Sequence, residues 1–186
     1  MPQAGTPPPH TPGTKPGSDR VRIGIAPDCA RFVLRIDPSG LDRAGAAFGC
    51  GLTAAIGAVG LGNGRSALCL GPDEWYLMAP LGDRDAIAAA FSEFYADCPH
   101  SLVDVGHRET GIDVGGEAAT LALRSACALD LDSMAAGTAT RTLFDRAPII
   151  LIRHEPERFR IEVWRSFASH VWGLLQAAGR EIALEI

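Results

Sequence analysis

The run LGPDEWYLMAP, residues 70–80, sets two adjacent carboxylates, Asp73 and Glu74, against Trp75 and Tyr76 in a chain with only three Trp and two Tyr. Two carboxylates beside an aromatic wall are the ingredients of acid/base catalysis, where one carboxyl keeps a proton that the other has lost. Strand geometry argues against that use here, because neighbouring strand residues point to opposite faces and do not converge on one bond. GPD is turn chemistry. The preferred reading is a turn that exposes Asp73 and feeds a strand with packed aromatic residues. Trp75 is then core if buried, and a docking residue if exposed.

Histidine is the usual acid/base near neutral pH, and five are present. His10 lies near the N-terminus. His107 follows Asp104 by three residues, a spacing that puts them on opposite strand faces unless the chain turns sharply at Gly106. A structural, turn-capping role is preferred for it, because no Ser or Cys nearby sits in a recognisable nucleophile elbow. His154, in RHEPER, is expected in a charged loop between strands, and His170 near the start of the last helix. Neither has metal-ligand spacing to a second His or carboxylate, so no metal site is expected. The charges from Arg153 to Arg165, alternating with Glu155, Glu157 and Glu162, read as a solvated hairpin surface. GLGNGR lacks the Lys and Ser/Thr of a phosphate loop and reads as a turn into a strand.

The elements that position these residues follow from periodicity. ARFVLRID alternates Phe32, Leu34 and Ile36 against Arg31, Val33 and Arg35, a half-buried strand. LDRAGAAFGCGL suggests a short helix or close-packed turn, and SALCL with EWYLMA a strand pair joined at GPD. DRDAIAAAFSEFYAD places Ile87, Phe91, Phe94 and Tyr95 on one helix face, capped by Asp83. HSLVDVG and TGIDVGG read as strands, GEAATLALRSACAL as a helix, and TRTLF, PIILIR and RFRIEVW as three further strands. SFASHVWGLLQAAG closes as a helix capped by Ser166, apolar at Phe167, Val171, Leu174 and Leu175 and stopped by Gly179. Strands in adjacent groups with helices between them predict an α+β fold with an antiparallel or mixed sheet.

Residues 1–19 hold six Pro and three Gly with little to bury, and read as a disordered arm. Residues 20–186 are expected to form a single domain, or two lobes of about 20–100 and 101–186. A net charge of -5 argues against nucleic acid or an anionic membrane surface as partner. Sixteen of the seventeen basic residues are Arg, a compositional bias before it is a ligand site. Cysteines at 29, 50, 69, 98 and 127 fit neither a disulfide framework nor a zinc site, but suit reduced thiols of a cytoplasmic protein. No window reaches the roughly 18 apolar residues of a membrane span.

Read together, GPDEW, ALDLD, TRTL and EVWRSFA give residues 20–180 a resemblance to the gamma subunit of heterotetrameric sarcosine oxidase. More distantly, the order VDVGH, GIDVGG, GTATRTLF is similar to the folate-binding aminomethyltransferase of the glycine cleavage system. The resemblance implies an α+β fold with ferredoxin-like sheet elements. It also implies a complex that oxidatively demethylates sarcosine to glycine, giving hydrogen peroxide and formaldehyde, or methylenetetrahydrofolate when folate accepts the carbon. In that family alpha, beta and delta subunits are the partners, and the large subunits hold FAD, FMN, NAD and tetrahydrofolate. The gamma chain holds no known redox cofactor and supports the assembly. One departure bears on mechanism: where aminomethyltransferases carry a carboxylate, DRAPIILIR has Pro148, Ile149 and Ile150, with Asp145 several residues earlier.

The expected role is therefore a noncatalytic subunit docking through an apolar, Arg-lined face. Arg108, Thr110, Arg141, Thr142, Trp164 and Arg165 are the interface candidates, since they stand in the family-like runs without a clear core pattern and Arg and aromatic residues favour interface centres. A stand-alone folate-binding domain is the alternative, with Glu109 or Asp113 as the carboxylate facing a pterin. A homo-oligomeric scaffold is the third option.

Overall fold

The computed structural model describes residues 20–185, so the arm expected over 1–19 lies outside the described residues. The chain runs β1 (Arg22–Ile25), β2 (Ala30–Ile36), α1 (Leu41–Phe48), β3 (Val59–Gly62), β4 (Arg65–Gly71), β5 (Glu74–Ala79), α2 (Arg84–Glu93) and β6 (His100–Asp104). It continues through β7 (Glu109–Gly115), α3 (Ala119–Arg124), β8 (Thr138–Phe144), β9 (Ala147–Glu155), β10 (Arg158–Trp164) and α4 (Arg165–Leu184). The strands form two five-stranded sheets, in the orders β3-β4-β5-β2-β6 and β1-β7-β10-β9-β8. Every pairing is antiparallel, as the α+β expectation allowed. The sheets trade strands: β1 joins the sheet built from the second half of the chain, and β6 the one built from the first.

The two sheets lie face to face with helices outside. On the first sheet, Phe32, Leu34, Trp75 and Leu77 pack against Phe48 of α1 and Ile87 and Phe91 of α2. On the second, Ile112, Ile149, Leu151, Phe159 and Ile161 pack against Leu123 of α3 and Val171 and Leu175 of α4. Between the sheets, Leu68, Tyr76 and Met78 meet Ala139, Ile150 and Ile152. This explains the unbroken apolar runs of EWYLMA and PIILIR: those strands are covered on both faces.

Several local expectations change. Trp75 is fully buried, and its indole N–H donates to the Thr53 carbonyl at 2.8 Å; it is core and presents no docking surface. Helix α2 stops at Glu93, so Tyr95 leaves the buried stripe and is 56% exposed. Asp83 makes no side-chain cap; the Arg65 guanidinium claims its carboxylate at 2.7 Å. In α4 the N-cap position falls on Trp164 and Ser166 lies inside the first turn. Gly179 does not stop that helix, which runs on to Leu184; it faces Val21 and Ile23, which a Cβ there would meet at an ordinary contact distance of 3.4 Å. His154 belongs to strand β9, not to a loop. The GLGNGR reading holds: Asn63 and Gly64, at φ 52° and 72°, make the two-residue turn between β3 and β4.

Gly60 of β3 supplies a test of this packing, because a Cβ there would collide with the Gly51 carbonyl oxygen, backbone that cannot swing away. Gly60→Ala is expected to cost about 2 kcal/mol or more, lowering Tm by roughly 4–8 °C. Gly82→Ala, where no atom lies within 4 Å, is expected to stay within about 0.5 kcal/mol of wild type; thermal denaturation followed by circular dichroism compares the two.

Candidate functional site

The seam between the sheets is apolar at one end and ionic at the other. Arg31 of β2 is 1% exposed and Glu162 of β10 is 2% exposed, and the Arg31 Nε donates to Glu162 Oε2 at 2.7 Å. Arg160 donates to the other oxygen, Oε1, at 2.5 Å. Arg31 also reaches Asp28 Oδ1 at 2.7 Å and the Cys29 carbonyl at 2.9 Å. Gly111 on the neighbouring strand makes room: a Cβ there would lie 2.8 Å from the Arg160 guanidinium and 3.0 Å from Glu162 Oε1. Burial alone would weaken the charge on Arg31, but Glu162 and Asp28 raise its pKa instead.

Two further links cross the seam. The Tyr76 hydroxyl of β5 donates to Glu109 Oε2 of β7 at 2.5 Å, while Arg108 donates to Glu109 Oε1 at 2.8 Å. Burial, then the charges of Glu162 and Glu109, push the Tyr76 pKa up, so the phenol stays a proton donor. Arg141 of β8 grips Glu74 of β5 with two bonds, at 2.6 Å and 3.2 Å. Arg35 bridges Glu74 and Asp73, at 3.2 Å and 3.0 Å. The two carboxylates expected to diverge are therefore joined through one guanidinium, because Asp73 sits in the turn and is free to lean back while Glu74 begins the strand.

Val33, Tyr76, Glu109 and Ile150 line a cleft of about 290 Å³ at this end of the seam, with Arg108, Arg141 and Trp164 at its mouth. The Arg108 guanidinium lies over the Trp164 ring, 5.1 Å from its centroid, a cation–π contact. Three of the six interface candidates thus converge. Arg165 is adjacent and exposed; its backbone N–H donates to the Arg108 carbonyl. Thr110 and Thr142 do not join them: strand alternation puts them on the helix-facing side, with Ile112 and Phe144.

The remaining sequence candidates separate. Asp104 accepts from the Gly106 amide at 2.8 Å and pairs with Arg84, which leaves His107 exposed. His170 meets Asp145 at 2.7 Å across the α4 surface. The run from Arg153 to Arg165 is not a solvated hairpin, since Arg160 and Glu162 face the seam. Arg153 donates to the Leu131 and Met134 carbonyls at 2.8 Å and 2.5 Å and lies over the Phe159 ring. Among the described residues no group of three or more His, Cys, Asp or Glu is placed to hold a metal ion. Periodicity hides the seam residues Arg31, Tyr76 and Glu162: Arg31 falls on the polar phase of a half-buried strand, Tyr76 among packed aromatic residues and Glu162 in a charge run. The available signal was the pair of continuous apolar runs, which require cover on both faces and so a second sheet opposite.

Arg31→Met leaves Glu162 buried beside Arg160 alone, and is expected to cost about 3 kcal/mol or more. Urea unfolding is the measurement, and a double-mutant cycle with Glu162→Gln should return a coupling of at least about 1 kcal/mol. A second expectation concerns acid. The Arg141 hydrogen bond, working against burial, holds the Glu74 carboxyl below its ordinary pKa. A depressed carboxyl stabilises the fold above its unfolded pKa and stops doing so as pH falls through the folded one. The difference in stability between wild type and Arg141→Met should therefore be full at neutral pH and shrink as pH falls below about 4, read from urea midpoints across that range.

Comparison with known proteins places this geometry. The family described as "Sarcosine oxidase, gamma subunit family" matches residues 35–181. The sarcosine oxidase subunit gamma of Corynebacterium sp. (strain P-1) is 33% identical over 142 residues, covering 75% of this chain and 69% of that protein. The subunit of the same name from Corynebacterium sp. (strain U-96) is 32% identical over 145 residues, covering 76% and 70%. Among solved structures, a chain of the heterotetrameric sarcosine oxidase from Corynebacterium sp. U-96, in complex with pyrrole 2-carboxylate, aligns with a TM-score of 0.79. It is 29% identical and covers 89% of this chain and 87% of that one. Aminomethyltransferase T of the glycine cleavage system from Bartonella henselae aligns with a TM-score of 0.64 at 12% identity, over 87% of this chain and 49% of that one, a likeness of fold alone. By the extent of the family match and the identity of these relatives, the chain belongs to the sarcosine oxidase gamma subunit family.

Proposed function

We propose that this chain is the noncatalytic gamma subunit of a heterotetrameric sarcosine oxidase, docking on its partners through the mouth of the seam. The observation that carries the reading is the state of the buried carboxylates: Glu109 is held by Tyr76 and Arg108, and Glu162 by Arg31 and Arg160. A general base needs a carboxylate within reach of a substrate proton, whereas these carboxylates are engaged by cations and a phenol of the same chain. The family match and the resemblance to a chain of a heterotetrameric enzyme support the assignment to a complex. The large partner subunits would carry FAD, FMN, NAD and tetrahydrofolate and perform the oxidative demethylation. The choice between sarcosine and another N-methyl amine would then reside in those chains.

The cleft is a poor fit for folate. Its volume of about 290 Å³ lies at the lower end of the roughly 300–1,000 Å³ of small-molecule sites, too small for a pterin with its aminobenzoylglutamate tail. The same cleft suits one or two side chains of a partner, with Trp164, 41% exposed, and the half-exposed Arg108 and Arg141 as anchors. Aromatic and Arg anchors of this kind carry most of an interface's energy.

Co-expression with the alpha, beta and delta chains of a sarcosine oxidase tests the assignment. The gamma chain should co-purify in equal proportion, and Trp164→Ala with Arg141→Glu should reduce its recovery in the complex at least tenfold while the isolated variant stays folded by circular dichroism. A gamma chain that never associates with those subunits sinks the proposal. Titration of the isolated chain with tetrahydrofolate should show no saturable binding in the micromolar range; saturation there would favour a folate-binding domain instead.

A further inference from the structure

Strand β6 closes one end of the first sheet, and among the described residues its outer edge has no strand partner. The Val105 N–H donates to the Arg31 carbonyl at 2.9 Å, and β6 pairs with β2 in the register Asp104 to Phe32, Leu102 to Leu34 and His100 to Ile36. Antiparallel pairing alternates, so the main-chain groups of Ser101 and Val103 face β2 while those of His100, Leu102 and Asp104 point outward. Beside this open edge runs a groove of about 620 Å³ walled by Ala88, Phe91, Ser92 and Tyr95 of the α2 region. The His100 ring stacks on Phe94 at 4.6 Å and meets Tyr95 edge-on at 5.5 Å. An open strand edge flanked by a helix is the arrangement that takes up an added strand.

The geometry points to a second copy of this chain as that strand, paired antiparallel about a two-fold axis at Leu102. This register joins outward main-chain groups only: Leu102 with Leu102 of the other copy, and His100 with Asp104 at both ends. It sets each imidazole against the other copy's Asp104–Arg84 ion pair, and it puts Ser101 opposite Val103, which is 51% exposed. Parallel pairing in register would bring Asp104 beside Asp104, and like charges across a seam are unfavourable. A two-fold axis normal to the sheet keeps both α2 helices on one side, where the exposed Tyr95 rings border the seam. Two five-stranded sheets become one of ten strands, and both β6 edges, open to nonspecific pairing in the single chain, are covered.

The experiment needs no partner subunit, so its outcome is independent of the assignment to an oxidase complex. Sedimentation equilibrium of the isolated full chain should show a monomer–dimer equilibrium, with the amides of His100, Leu102 and Asp104 gaining protection from hydrogen exchange as concentration rises. Val103→Lys and, separately, Ser101→Lys place like charges on neighbouring positions across the two-fold axis. Each should weaken dimerisation at least tenfold, leaving the unfolding midpoint of the monomer unchanged. A chain that is monomeric at every concentration overturns the proposal, and so does a dimer unaffected by both substitutions. Protection of the three amides that does not depend on concentration also overturns it, because it would mean that the chain covers its own edge.

Discussion

The salt bridge between Arg31 and Glu162 is the constraint on which the arrangement of the sheets depends. It joins residues 131 positions apart, with both side chains almost wholly removed from water. Removing two charges from solvent costs several kcal/mol per ion, and their attraction offsets this only where geometry is good and every remaining lone pair finds a donor. Here both oxygens of Glu162 are engaged, one by Arg31 and one by Arg160, and Arg31 spends further donors on Asp28 and the Cys29 carbonyl. An apolar seam of the same area would allow the sheets to slide, since hydrophobic contact is non-directional. The guanidinium fork and the carboxylate fix which strand of one sheet lies over which strand of the other.

The neighbouring links extend the same logic toward the surface. Tyr76 and Glu109 repeat the cross-sheet bond with a phenol, and Glu74 with Arg141 repeats it where the seam opens to water. Burial falls along this line, from Arg31 and Glu162 to the half-exposed Arg141, so the interior end fixes alignment and the exterior end presents chemistry. At the mouth, Arg108 lies between Glu109 and the Trp164 ring. One side chain thereby connects a buried carboxylate to an exposed aromatic surface, which ties the shape of the surface to the alignment beneath it.

The likeness to aminomethyltransferase T is a likeness of fold. Pro148, Ile149 and Ile150 line or back the cleft, and the two buried acids of the seam, Glu109 and Glu162, are neutralised from within. Ion pairs and the Tyr76 hydrogen bond tie the two sheets together at this end of the seam. The open edge of β6 is a separate resource of the same frame, facing away from the neighbouring strand.

The amino-acid sequence determined most local structure here: the hairpins, the strand at EWYLMA and the body of the final helix, though not its end, follow from periodicity and turn residues, which act over a few positions. Trp75 could be assigned to a strand but not to a side of the molecule, and its burial came only with the packing of β5 in the centre of its sheet. Arg31 shows the limit most clearly. In ARFVLRID it occupies the polar phase of an alternating strand, and alternation says that one face is polar without saying whether water or another sheet lies against it. Glu162 stood in a charge run that read as solvated for the same reason. Tertiary structure decided both, because the face-to-face meeting of two sheets is set by contacts over a hundred residues apart. Pairing at that range depends on charge and shape complementarity that no local pattern encodes.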